Sequence, residues 1–159
     1  MRSARKIKSA AALARLVRAA KARGRTVVFT NGCFDLLHAG HVTLLERARR
    51  LGDLLVVGIN SDRSVRALKG PRRPLVPQGD RAKLLAAFAS VDYVIVFNEL
   101  TPRRLVAQLK PHVLVKGSDW AGGEIIGREI VERTGGRVVR IPLLKGYSTT
   151  QLLKRMRAR

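Results

Sequence analysis

Hydrophobic and polar positions follow two rhythms along this chain. Short, continuous apolar runs rich in β-branched residues occupy 26–31, 54–60, 93–97, 112–116 and 137–141. Strands buried on both faces of a parallel sheet read this way. Between them, apolar residues recur every three or four positions over 9–22, 40–51, 78–89, 101–109, 123–134 and 148–157, the spacing of one helix face. Alternation of the two predicts an α/β fold: a Rossmann-like, doubly wound five-stranded parallel sheet with helices on both faces. Punctuation supports the boundaries. Thr101 followed by Pro102 predicts a capped helix start, and Gly52 and Gly135-Gly136 predict stops for the helices before them. Residues 1–24 are expected to form a basic helix packed on a single domain of residues 25–159.

Residues 62–77 break the rhythm, with three prolines, one glycine and five basic residues. A short helix over 62–68 followed by a surface loop is expected. Long loops inside compact domains are usually functional or mobile. The functional reading is a lid whose Lys69 and Arg73 close over a triphosphate; the alternative is a merely solvated basic loop.

The densest chemistry lies in Asn31-Gly-Cys-Phe-Asp-Leu-Leu-His38-Ala-Gly-His41. It joins the first predicted strand to a helical pattern. A strand that ends in a glycine turn and feeds a helix N-terminus presents backbone N–H groups and the positive end of the helix dipole to an anion. His38 and His41, three apart, fall on one side of the first turn, and Gly40 is expected to leave room for a ligand between them. These residues predict a nucleotide site.

Other polar groups cluster at the carboxyl ends of predicted strands, where open parallel sheets bind ligands. The second strand ends at Asn60-Ser-Asp62, the fourth at Lys116-Gly-Ser-Asp119, and the fifth leads to Ser148-Thr-Thr150. Lys116 directly follows three apolar residues and is read as a phosphate contact. Asp62 and Asp119 are read either as ligands for sugar hydroxyls or metal-bound water, or as turn caps. Ser148, Thr149 and Thr150 form a natural helix N-cap and a second possible phosphate site.

Composition narrows the classes. The chain has 159 residues, 46% of them apolar, and a single cysteine, Cys33, which excludes an internal disulfide or a cysteine-rich metal site. No apolar run approaches bilayer length, and the Ala-rich N-terminal stretch is interrupted by Arg15 and Arg18, unlike a signal peptide. A cytoplasmic location is expected. Net charge is +21, which would suit a nucleic-acid binder. Nine of the Lys and Arg residues precede residue 26 and four lie within 154–159, away from the motif. With a single Trp and no aromatic-studded basic stripe, the surplus reads as surface bias that also attracts polyphosphates. No dedicated nucleic-acid partner and no membrane partner is expected; a homodimer is, on base rate.

The signature Gly32-x-Phe34-Asp35-x-x-His38-x-Gly40-His41 resembles that of the cytidylyltransferase-like nucleotidyltransferase superfamily. Together with Asn60-Ser-Asp62, Leu68-Lys-Gly70, Arg73-Pro74, Leu114-Val-Lys-Gly-Ser-Asp119 and Ser148-Thr-Thr150, it is most similar to the ADP-heptose synthase adenylyltransferase branch, over roughly residues 25 to 155. In some bacteria that activity is a separate short protein, an arrangement that this length, without a sugar-kinase domain, fits. Related cytidylyltransferases carry Arg-Thr-x-Gly-Ile-Ser-Thr where this chain has Leu143-Leu-Lys-Gly-Tyr-Ser-Thr; the missing arginine disfavours CTP. The resemblance implies transfer of AMP from ATP, with Mg²⁺, to a heptose 1-phosphate, for lipopolysaccharide-core or surface-polysaccharide precursors. In this reading His38, His41 and Lys69 are catalytic. Gly32, Cys33, Phe34, Gly40, Lys116, Gly117, Ser148, Thr149 and Thr150 bind nucleotide, and Asp35, Asp62, Arg73 and Asp119 bind substrate; no residue is assigned to a metal. Two alternatives remain: a CTP-dependent enzyme acting on glycerol 3-phosphate or a similar alcohol, and a basic RNA-binding module.

Overall fold

The five apolar runs form five parallel strands, β1 Val27–Gly32, β2 Leu54–Asn60, β3 Tyr93–Phe97, β4 Val113–Gly117 and β5 Arg137–Ile141. Their spatial order is β3-β2-β1-β4-β5. The helices are α1 Ala10–Ala22, α2 Ala39–Arg49, α3 Asp62–Lys69, α4 Gln78–Ala87, α5 Arg103–Leu109 and α6 Arg128–Arg133. This computed structural model describes residues 3–117, 125–142, 144, 147, 149 and 151–153. Residues 149 and 151–153 are helical, inside the predicted last helix.

Because successive strand residues point to opposite faces, the sheet divides the core in two. Val27, Phe29, Val56, Ile95 and Leu114 pack against Leu13 and Val17 of α1, Leu105 and Val106 of α5, and Val131 of α6. Val28, Leu55, Val57, Val94 and Val115 pack on the other side against Leu44, Leu45 and Ala48 of α2 and Ala82 and Leu85 of α4. Helices therefore cover both faces, as the apolar runs predicted. Ser9 caps α1 through the Ala12 N–H, and the helix buries Leu13, Ala14, Val17 and Ala20 at helical spacing. The Lys21 ammonium donates to the Lys110 carbonyl at 2.8 Å, tying α1 to the end of α5.

Several local expectations shift. Ile7 bridges to Val94 at the β3 edge, and Lys8 N–H donates to the Val94 carbonyl; a single extended residue carries no periodic signal. Helix α5 starts at Arg103 with Pro102 as its cap, one residue later than the Thr101-Pro102 pair suggested. Gly52 does not stop α2, which ends at Arg49; a Cβ on Gly52 would lie 2.7 Å from the Thr26 carbonyl, so glycine there admits the turn against β1. Helix α3 runs to Lys69 and ends at Gly70, at φ +96°.

The topology opens a crevice. Strands β1 and β2 stay paired out to Gly32 and Ile59, but β1 and β4 pair only as far as Thr30 and Val115. There the Thr30 hydroxyl donates to the Val115 carbonyl at 3.1 Å. The strand order reverses between β1 and β4, so the two edges part at their carboxyl ends, the place where doubly wound sheets hold ligands.

Candidate active site

A cleft of about 690 Å³ fills this crevice, within the usual range for small-molecule sites. Its floor is the β1–α2 turn. Phe34 adopts φ +48°, a left-handed conformation that a bulky residue enters only when its surroundings hold it there. The surroundings do: the Phe34 ring is buried, 5.1 Å from the His41 ring, and the reversal turns the chain from β1 into α2.

His38 is the N-cap of α2, in extended conformation and without a side-chain capping bond. Its ring stacks on His41, centroids 3.8 Å apart and planes 23° from parallel. The sequence placed both imidazoles on one side of the first turn, and they are. The expected gap between them is not there, because the rings are in contact. A Cβ on Gly40 would lie 3.0 Å from Cε1 and Nδ1 of His38, so Gly40 makes room for the His38 ring itself. Burial lowers the pKa of His38. His41 is pushed down to about 4, by burial first and then by the neighbouring His38. Both rings are neutral near pH 7. Both Nδ1 atoms are buried with no hydrogen-bond partner among the described residues; buried polar atoms are rarely left so unless something completes them.

Cations stand around this pair. Lys116, at the end of β4, donates to the Asn31 side chain at 2.5 Å across the strand gap. Lys69 from the end of α3 and Arg73 from the segment beyond it line the cleft. Cys33 lines it too, and its pKa is raised: burial outweighs the lowering by Lys69 and Arg81, so it is a neutral thiol. Thr149 lines the opposite rim with Tyr147, whose ring is 6.3 Å from His38.

Of the predicted site residues, Gly32, Cys33, Phe34, Asp35, His38, Gly40, His41, Lys69, Arg73, Lys116 and Thr149 converge on this one cleft. Gly117 ends β4 opposite Ile141 and does not line it. Asp62 also stays outside: its carboxylate accepts from Arg81 Nη2 at 2.7 Å. Asp35 reaches the cleft wall but is 3% exposed, with its oxygens held by Arg73, Leu75 and Val76, which leaves no free carboxylate for a substrate hydroxyl. Asp119, Ser148 and Thr150 lie outside the described residues. The expected lid is anchored, since these bonds pin the 70–77 segment to the β1–α2 turn.

Sequence reasoning missed three contributors. Arg81 is fully buried and bonds Val76 O, Cys33 O and Asp62 at once; one charge in an amphipathic pattern looks like surface. The end of β3 also contributes, through Leu100, Thr101 and Pro102, although it carries no polar motif. Ile125 and Ile126 complete an apolar side. Asn60 was visible in its motif; its amide donates to Ser64 Oγ at 2.9 Å while the residue lines the cleft.

Among the described residues no helix is long and apolar enough to cross a membrane, and no group of three His, Cys, Asp or Glu side chains is arranged to hold a metal ion.

Comparison with known proteins adds a context for this geometry. The cytidylyltransferase-like family matches residues 29–155. The chain is 56% identical over 151 residues to the bifunctional protein HldE of Pelobacter propionicus, covering 95% of this chain and 31% of that protein. It is 57% identical over 134 residues to the protein of the same name from Syntrophotalea carbinolica, covering 84% and 27%. The chain thus spans under a third of the length of these relatives. Among solved structures, a lipopolysaccharide core biosynthesis protein from Thermoplasma volcanium superimposes with TM-score 0.64 at 28% identity, over 79% of this chain and 100% of that one. A pantoate-beta-alanine ligase from Francisella tularensis shares the fold, with TM-score 0.62 at 14% identity over 94% of this chain and 72% of its own.

Proposed function

The chain belongs to the cytidylyltransferase-like family and is a nucleotidyltransferase, and from that premise we propose that it transfers AMP from ATP to a heptose 1-phosphate, releasing pyrophosphate and ADP-heptose. The observation that carries the transfer chemistry is the stacked His38–His41 pair at the start of α2, facing a cleft with Lys69, Arg73 and Lys116. The choice of ATP and heptose rests on the 50–57% identity to HldE proteins and on the Leu143-Leu-Lys-Gly-Tyr stretch that replaces the cytidylyltransferase arginine.

An oxygen of the sugar phosphate attacks the α-phosphorus of ATP, and the bond to the β-phosphate oxygen breaks. The attacking phosphate is already anionic, so no general base is required. Catalysis is then positioning plus stabilisation of charge that grows on the phosphate oxygens. Each neutral imidazole has one N–H to donate to an α- or β-phosphate oxygen. The α2 N-terminus adds its backbone N–H groups. Lys69 and Arg73 hold outer phosphates, Lys116 a substrate phosphate, and Ser148 and Thr149 the far end of the triphosphate. ATP enters as its Mg²⁺ complex, with the ion carried by phosphate oxygens and water, as Mg²⁺ prefers. Asp35, the acidic residue of the described cleft lining, has no open oxygen to offer it.

The test is incubation with ATP, Mg²⁺ and heptose 1-phosphate, scored for pyrophosphate, beside a panel of CTP with glycerol 3-phosphate. Pyrophosphate from ATP with heptose 1-phosphate is the expected result. Release only with CTP, or with none of the pairs, refutes the assignment.

A further inference from the structure

Asp35 belongs to the signature turn, yet its carboxylate is spent inside the protein. Oδ1 accepts the N–H groups of Leu75 and Val76 at 2.8 and 3.0 Å, and Oδ2 accepts Arg73 Nε at 2.6 Å. The carboxylate is 2% exposed and the Arg73 side chain 22%. The two oxygens thus do different work. One clamps the backbone of the 70–77 segment, and the other grips a single nitrogen of the guanidinium.

Gripping Nε has a directional consequence. A guanidinium is planar and rigid, with five N–H donors in a fixed fork. With Nε held by Asp35, the plane is set and the Nη1 and Nη2 groups remain, with no partner among the described residues, on a side chain that lines the cleft. Behind this pair, Arg81 closes the other end of the segment through the Val76 carbonyl at 2.9 Å and reaches Cys33 and Asp62.

We propose that Asp35 is a positioning residue that acts through Arg73: it aims the free edge of the Arg73 guanidinium into the cleft, where that edge grips a phosphate of the substrates bidentately. The proposal rests on the cleft being the substrate site of the proposed reaction, but its readout does not depend on turnover. The segment works as a preorganised wall, and binding energy is not spent on ordering it.

The substitution Asp35→Asn separates the two oxygens' roles. Asparagine keeps an oxygen for the Leu75 and Val76 N–H groups and places an NH₂ against Arg73 Nε. Inorganic pyrophosphate binding, followed calorimetrically, should weaken about tenfold, the scale of one charge-assisted contact. In active enzyme, KM for the phosphate-bearing substrate should rise by a similar factor while kcat changes less. The decisive arm is the double-mutant cycle. In an Arg73→Gln background, Asp35→Asn should add less than about twofold, because the group it positions is gone. Unchanged pyrophosphate affinity in Asp35→Asn, or a full tenfold further loss on Arg73→Gln, overturns the proposal. If Asp35→Asn does not fold, Arg73→Lys decides. A compact ammonium has no planar fork to hold Asp35 by one edge and grip a phosphate bidentately by the other, so wild-type pyrophosphate affinity in that variant also overturns it. An enzyme that binds pyrophosphate as described but turns over no nucleotide would refute the proposed reaction and leave this positioning role intact.

Discussion

Acidification should destabilise this protein through His41. In the folded chain its pKa is about 4, against roughly 6.5 for an unfolded histidine. The folded value lies below the unfolded one, so the unfolded chain takes up the proton first. The stability contributed by this group is complete above the unfolded value and is lost as the pH falls toward the folded value, below which it levels off. Between pH 7 and pH 5 the linkage amounts to about 2 kcal/mol, with a slope near 1.2 kcal/mol per pH unit at the acid end. His38 and His112 are shifted the same way, so the whole protein should lose more than His41 alone accounts for. Urea unfolding at pH 7, 6 and 5, followed by circular dichroism in buffers free of phosphate, measures the slope. The same series on His41→Gln isolates the residue. The difference between the two proteins should shrink or reverse by about 2 kcal/mol on acidification. Parallel lines for wild type and variant between pH 7 and 5 would show that burial and stacking do not hold the ring neutral. Added pyrophosphate should flatten the wild-type slope, because an anion beside the imidazoles favours their charged form.

Three further outcomes follow from the same geometry. Replacing His38 or His41 with Ala should lower turnover by roughly 10²–10³, the scale of one lost transition-state donor, and near-wild-type turnover in a folded variant would remove that residue from the chemistry. Gly40→Ala puts a methyl 3.0 Å from the His38 ring; turnover should fall at least about tenfold from the displaced ring while the thermal midpoint moves little, since Ala favours the helix. Leu13→Ala, at a site with no exposed surface, should cost about 2–5 kcal/mol in a urea titration; a loss below 1 kcal/mol would mean that α1 is an appendage and not a layer of the core.

The strands were legible because each is buried on both faces. Burial on two sides forces an unbroken apolar run, and all five strands lie within a residue or so of the runs. The histidine pair was legible for a related reason: spacing of three on a helix start leaves little choice about which side the rings take. Arg81 was not legible. Its pattern position resembles a solvated face, and only packing reveals that three separate segments supply its acceptors. Asp35 and Asp62 were visible as acids in polar turns, yet nothing local says whether a carboxylate faces a ligand or an arginine arriving 38 or 19 residues later. The Leu100–Pro102 wall is hidden likewise, since Thr101-Pro102 reads only as a helix start and nothing local says that it faces the cleft.

Local order along the chain thus decided the alternation of strand and helix, the glycine-bearing turn from β1 into α2 and the pairing of the two imidazoles, because backbone periodicity and short-range sterics act between residues a few positions apart. Folding in three dimensions decided the rest. It parted β1 from β4 beyond Thr30, pressed the two rings into contact instead of around a ligand, and turned a basic loop into a fixed wall by burying one carboxylate and one guanidinium beneath it. Charges separated by dozens of residues find their partners only when the sheet brings them together, and a buried charge without its partner costs too much to leave unpaired.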